Sequence, residues 1–393
     1  MRAVGTVARG VRAPIIRPGD DLVKIVADSV MNAVENENII LKEKDIVAVT
    51  EAIVAKAQGN FATIDDIGLD VRNKLGGEDI GVILPILSRN RFSCILRGIS
   101  RGAKKIYIQL SYPFDEVGNP LVSIDKLYDM GIYEFSKSYT DREFCELVGE
   151  IAHPFTGVNY IELYKEICEC ECEVILSNNP CEILKYTKNV INADIHSRFR
   201  TKKLLEANGA KKVLSLHDIL NSSVNGSGYH ELYGVLGSNL STAEKVKLFP
   251  RDTKTFVDNL QKELFDRTGV KIECMVYGDG AFKDPVGGIW ELADPVVSPA
   301  YTSGLNGTPN EIKLKYMADN KIADLTGESA IVAMKKLIKE KGDNLVNKAE
   351  SLGTTPRRIT DLVGSLCDLT SGSGDKGTPI VLVTGYFDNY ATE

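Results

Sequence analysis

The chain of 393 residues lacks the features that would mark many protein classes. Its longest apolar stretch, such as Gly81-Val-Ile-Leu-Pro-Ile-Leu87, falls far short of the roughly 20 residues that a membrane-spanning helix needs. The first residues, MRAVGTVARGVRAPII, carry arginines but no continuous apolar core, so no secretory signal is expected and the cytoplasm is the expected compartment. Positive charge is not in excess. Lys and Arg number 47 against 54 Asp and Glu, and the net charge of −7 argues against a broad nucleic-acid-binding face. There is no internal repeat and no low-complexity tract.

Several chemical signatures are missing as well. No GxxxxGK[ST] run is present, and no GxGxxG follows an early strand, so neither common nucleotide loop is written here. No GxSxG elbow occurs, and His153, His196, His217 and His230 share no metal-ligand spacing. The run Cys168-Glu-Cys-Glu-Cys172 has no distant second pair to complete a zinc site. Its alternation fits a strand with three thiols on one face, serving as small buried hydrophobes.

What remains is an ordinary globular composition, 43% hydrophobic and 26% charged, at a length that predicts two or three units. Strands and helices alternate throughout. Helical spacing runs over 20–34, and strands are expected at Ile46–Thr50, Ile80–Leu87 and Ile106–Leu110. Between about 120 and 232 the order changes to strand, helix, strand, helix, strand: Glu173–Leu176, Pro180–Val190, Ile191–His196, Ser197–Asn208 and Lys212–Leu216. This predicts a small parallel α/β unit set into a larger one, with Asn221–Gly228 as its exit. The third segment reads as a helix over Thr253–Thr268 and a strand over Lys271–Tyr277. Helices follow near 310–341, broken at Gly327, then at 343–352 and at Thr355–Leu369, before a final strand at Ile380–Thr384. The expected division is thus 1–119, 120–232 and 233–393.

Chemistry concentrates in a few places. The segment Asp45–Gly59 reads as a buried strand that runs into small residues carrying one cation, Lys56. A lysine so delivered reaches an anion with no bulky neighbour in the way; the alternative is a surface lysine after a core strand. Asp279 stands between Gly278 and Gly280 at the end of an apolar strand, where its carboxylate can enter a crevice and hold a hard cation, or simply cap its own turn. Asp115 follows the same logic after Leu110. In the loop Ser371–Pro379, glycines leave backbone N–H groups free to turn toward a phosphate beside Lys376, although such loops are usually solvated turns.

These stretches, in this order, resemble the γ-glutamyl ligase family that elongates the deazaflavin coenzyme F420, over roughly 1–119 and 233–388. Ala13-Pro14-Ile15-Ile16 is similar to the family's N-terminal nucleotide loop. Lys56 stands in its lysine position, while Glu51 and Ala52 replace hydroxyl residues. For the family's G-I-D-x-S-N turn there are two candidates. Asp115 to Asn119 keeps both residue types at altered spacing; Gly234-Val-Leu-Gly-Ser-Asn239 keeps the spacing with Leu236 in the aspartate position. The resemblance implies Asp115 and Asp279 as metal ligands, with Asp375 or Ser373 a third candidate. It also implies nucleotide contacts from Asn119 or Asn239 and from Gly372, Ser373, Gly374 and Lys376. Gly280 lacks the hydroxyl expected beside the metal aspartate.

From the resemblance follow a mixed α/β (α+β) fold, into which the small parallel α/β subdomain read above would be inserted, a homodimer, and GTP (or ATP) as co-substrate. Mg²⁺ or Mn²⁺ would neutralise phosphates, with Lys56 and Asp279 in the catalytic centre. The implied reaction phosphorylates a carboxylate of a small acceptor and then forms an amide with glutamate. The rival expectation is a homologue that keeps the fold and binds nucleotide without catalysis, because the replaced residues are what decay of activity would leave.

Overall fold

The computed structural model describes residues 3–149, 151–153, 156–279, 282–283, 290–291, 295–354, 357–371 and 375–392. It is a mixed α/β fold, as expected, built around two principal sheets.

The first sheet holds five strands in the order β1 (Val7–Val11), β16 (Ile380–Thr384), β2 (Ile46–Thr50), β12 (Glu273–Tyr277) and β15 (Ala300–Tyr301). Only β2 and β12 run parallel. The sequence IVAVT of β2 is apolar without alternation because helices cover both faces of the sheet. Val47 and Val49 pack with α1 (Leu22–Asn36) and α9 (Thr253–Thr268), whereas Ile46 and Ala48 pack with α12 (Ile359–Ser371).

Register sets what leaves each edge. Thr50 pairs with Tyr277, so α2 (Glu51–Ala57) and the Gly278-Asp279 turn depart side by side. Antiparallel β16 begins at that same edge, with Ile380 opposite Val49, and β1 ends there, with Val11 opposite Ile380. Four separate chain segments therefore meet at one edge.

The second sheet has six strands in the order β6 (Tyr139–Thr140), β7 (Glu171–Leu176), β5 (Lys105–Leu110), β4 (Ile80–Ile83), β8 (Asn189–Asn192) and β9 (Lys212–Ser215). All but β6 are parallel. The expected boundary at 119/120 cuts through this sheet: β4 and β5 lie before it, and β5 pairs along its length with β7. The parallel unit is larger than expected because the apolar strands Ile80–Ile83 and Lys105–Leu110 complete its centre.

One side of this sheet carries α3 (Ile64–Leu75) and α4 (Phe92–Gly102), which cross closely through glycines. A Cβ on Gly98 would stand 2.6 Å from Ile67 Cγ2 and 3.2 Å from the Ile64 carbonyl oxygen. Shorter helices complete the unit: α5 (Ile124–Asp129), α6 (Asp141–Val148), α7 (Tyr160–Ile167) and α8 (Arg198–Ala207). A small sheet, β10 (Asn239–Thr242), β11 (Lys245–Lys247) and β3 (Phe61–Thr63), stands between the two units in the chain. The two-residue strands β13 (Phe282–Lys283) and β14 (Trp290–Glu291) pair with each other, and α10 (Leu314–Lys321) and α11 (Gly327–Lys339) precede α12.

Local expectations fail where tertiary contacts override periodicity. The helix expected over Pro180–Val190 is a 3₁₀ turn, Pro180–Lys185, because the chain must enter β8 at Asn189. Only a 3₁₀ turn, Ala349–Ser351, forms in 343–352, where Asn347 takes a left-handed φ of 62°. The strand at Cys168–Cys172 begins only at Glu171, and its three thiols are half-buried against the core.

Candidate functional site

At the shared edge of the five-stranded sheet the candidate nucleotide segments come together. The Ala13 N–H donates to the Gly377 carbonyl at 3.3 Å, Thr50 N–H to Pro379 O at 3.0 Å, and Gly19 N–H to Ala57 O at 2.8 Å. Pro14 and Ile15 are exposed here, while Ile16 turns back into the core. Lys56 lies in the last turn of α2 and is exposed, as are Asp375 and Lys376. The expected contacts Gly372, Ser373 and Gly374, and Gly280, lie outside the described residues.

At the head of α2, Thr50 caps the helix and Ala52 N–H reaches its hydroxyl at 3.5 Å. Glu51 is 5% exposed and Lys247 of β11 is 8% exposed. The two form an ion pair, with Lys247 Nζ 2.6 Å from Glu51 Oε2. A buried charge needs such a partner, since desolvation alone would cost several kcal/mol per ion. Glu51, expected in place of a hydroxyl residue of the family, is thus buried together with a cation. Asn239 stands opposite Lys247 in the β10–β11 ladder, so it belongs to this edge.

Asn119 does not. Its side chain donates to Asp115 Oδ2 at 2.9 Å and its backbone to Oδ1 at 2.8 Å, within a loop after β5 of the other sheet. Asp115 also accepts from Leu87 N–H at 2.9 Å and Val117 N–H at 3.0 Å. Burial pushes its carboxyl above the usual range, and these donors pull it back. Four donors on two oxygens make Asp115 the organiser of its own turn. Its neighbour Glu116 accepts from Ile195 N–H at 2.6 Å, and burial together with the Asp194 carboxyl pushes it up to about 8.

Asp279 emerges at the edge as its strand predicts, and there it meets a residue the sequence did not single out. The Arg91 guanidinium, from the segment entering α4, forms an ion pair with its carboxylate. Arg91 could have drawn attention only through the basic run Arg89-Asn-Arg91, because its partner lies 188 positions away.

Of the residues expected to hold a divalent ion, Asp375 is exposed, Ser373 lies outside the described residues, and Asp115 and Asp279 already carry other partners. Asp115 is saturated by N–H donors and sits on the other sheet, Asp279 is held by a guanidinium, and Leu236 is buried in the remaining aspartate position. Among the described residues no group of three or more His, Cys, Asp and Glu side chains is arranged to hold a metal ion. No helix among them is long and apolar enough to cross a membrane.

The model of the F420-0:gamma-glutamyl ligase family matches residues 10–385, spanning both sheets and the edge at which the candidate segments meet. No curated protein matches the chain. With nearly the whole sequence accounted for by one family model, and with the fold expected of it, the chain belongs to the F420-0:gamma-glutamyl ligase family.

Proposed function

We propose that this protein forms an amide between the amine of glutamate and the carboxylate of a small acceptor, with a nucleoside triphosphate, GTP or ATP, as activator. An acceptor carboxylate oxygen attacks the terminal phosphorus, and the nucleoside diphosphate leaves. The glutamate amine then attacks the acyl carbon, phosphate departs with the C–O bond electrons, and the nitrogen loses a proton.

The observation that carries this reading is the convergence, through strand register, of residues 12–16, the head of α2, Asp279 and the 375–379 loop on one edge. Exposed Lys56 and Lys376 supply charge for phosphate oxygens there, and Arg91 supplies a fork that suits a carboxylate. Asp279 orients that fork. The reading includes a homodimer, as the resemblance implies, acting in the cytoplasm. No step is drawn through a divalent ion.

A second reading, a nucleotide-binding homologue without catalysis, is favoured by the Arg91–Asp279 pair in the place expected for a metal carboxylate. Calorimetric titration of GTP and ATP, with and without Mg²⁺ or Mn²⁺, on wild type and Asp279→Ala separates the readings. Binding followed by glutamate-dependent phosphate release with carboxylic acids supports the ligase. Binding without turnover supports the homologue, and no nucleotide binding at all removes both.

A further inference from the structure

The six-stranded sheet contains a cleft that the edge site does not account for. Numbered by chain order, the parallel strands β4, β5, β7, β8 and β9 lie in the spatial order 3-2-1-4-5. The chain builds outward from β4 on one side, then returns to add β8 and β9 on the other. The connections therefore diverge between β4 and β8, and open α/β sheets carry a crevice at the carboxyl ends of such strands. The cleft lies there. Ile86 follows β4, Ala193 and Ile195 follow β8, and Leu216 follows β9. Leu236 and Ser238, from the turn before β10, close it. Its empty space, counted with the solvent at its open mouth, is about 430 Å³.

Two features show that this is more than a packing fault. Ser238 is 1% exposed, and its hydroxyl has no hydrogen-bond partner among the described residues. An unmet buried hydroxyl is costly, and a ligand oxygen or nitrogen would satisfy it. Arg91 also lines the cleft, and its guanidinium reaches Asp279 at the end of β12. The cleft thus opens from the six-stranded sheet onto the edge of the five-stranded one. Its walls are mainly apolar, with one cation and two hydroxyls, Ser88 and Ser238.

We infer that this cleft binds an organic acid with an apolar body, whose carboxylate engages Arg91 in place of, or beside, Asp279. A guanidinium fork suits a carboxylate, and an incoming acid exchanges one carboxylate partner for another at little electrostatic cost. The inference rests on the ligase reading for its role: the six-stranded sheet selects the acceptor, and Arg91 presents its carboxylate at the edge where nucleotide would bind. As a binding site the cleft stands without that reading.

The test is a ligand-detected NMR titration with 1-naphthoate and its neutral counterpart 1-naphthamide. Wild type binds both, naphthoate more tightly. Arg91→Gln weakens naphthoate about tenfold, the scale of one lost charge-assisted hydrogen bond, and leaves naphthamide within about twofold. Arg91→Lys, which keeps the charge without the fork, falls between and serves if the glutamine variant does not fold. Ile195→Trp, at the half-exposed rim, blocks both probes. Ser238→Ala weakens a probe without lowering the melting temperature, which a purely structural hydroxyl would not do. Absence of binding to wild type, or naphthoate affinity indifferent to Arg91 and Ile195, overturns the inference. GTP titration of the same protein separates the two readings. Nucleotide binding without naphthoate removes the cleft alone; the expected naphthoate pattern without nucleotide keeps the cleft and removes the ligase.

Discussion

Arg91 and Asp279 form an ion pair that joins the two principal sheets: one residue leads into α4, and the other ends β12. Their side chains are 18% and 46% exposed, so solvent screens the attraction. A double-mutant cycle with Arg91→Met and Asp279→Asn, read by urea denaturation, should give a coupling below about 1 kcal/mol. A coupling of several kcal/mol would make the pair a structural clasp rather than part of a binding site.

The pair at the head of α2 should behave differently. Lys247 and Glu51 are both buried, and Lys247→Met leaves a carboxylate with its nearest cation gone. The expected loss is about 3–5 kcal/mol in denaturant unfolding. Adding Glu51→Gln should recover a substantial part, since the buried charge is then removed. Equal stability of the single and double variants would show that Glu51 keeps adequate partners without Lys247.

The Glu116 carboxyl gives the protein a pH-dependent stability. It faces the Asp194 carboxyl, the Ile195 and His196 N–H groups, and the His196 ring at 3.6 Å. Its ordinary value of 4.5 is pushed up to about 8 by burial and by Asp194. Between those values the folded chain holds a proton that the unfolded chain has released. This contribution is fully present below pH 4.5 and is lost as pH rises to about 8. Thermal melts from pH 4 to 9 should show Glu116→Gln with a flatter decline than wild type; parallel profiles would refute the assignment.

Packing beneath Arg91 is also testable. Gly98→Ala places a methyl 2.6 Å from Ile67 Cγ2 and 3.2 Å from a backbone oxygen, so α3 and α4 must separate. Overpacking of this kind costs about 1–3 kcal/mol, visible as a lower melting temperature. An unchanged melt would mean that the helix pair yields more readily than its close crossing suggests.

Much of the local structure was written in the residues. The strand Ile46–Thr50, the helix Thr253–Thr268 and the strand Ile380–Thr384 occur at the expected bounds, because the strands are short unbroken apolar runs and the helix carries apolar residues at helical spacing. Periodicity failed at 180–190 and 343–352, where a polar, weakly patterned stretch took its form from the sheet or from a single left-handed residue. The site was legible in the same uneven way. Asp279 and the 13–16, 51–57 and 375–379 segments could be picked out because glycines, prolines and lone charges mark them. Arg91 and Lys247 could not, since nothing local separates them from other arginines and lysines; Ser238 was marked only as part of the Gly234–Asn239 turn, not as a buried hydroxyl.

By itself the sequence determined the fold class, most of the elements and the family, because hydrophobic periodicity and short motifs act over a few residues at a time. Only tertiary structure decided that β4 and β5 join β7, β8 and β9 in one sheet, and that Asn239 rather than Asn119 stands at the edge. It also decided that Asp115 serves its own turn and that Asp279 meets a guanidinium. Asp115 apart, whose turn donors lie two and four positions away, those are choices between partners tens to hundreds of positions apart. They depend on strand register and on which buried charge finds a counter-ion, and neither is encoded in local spacing.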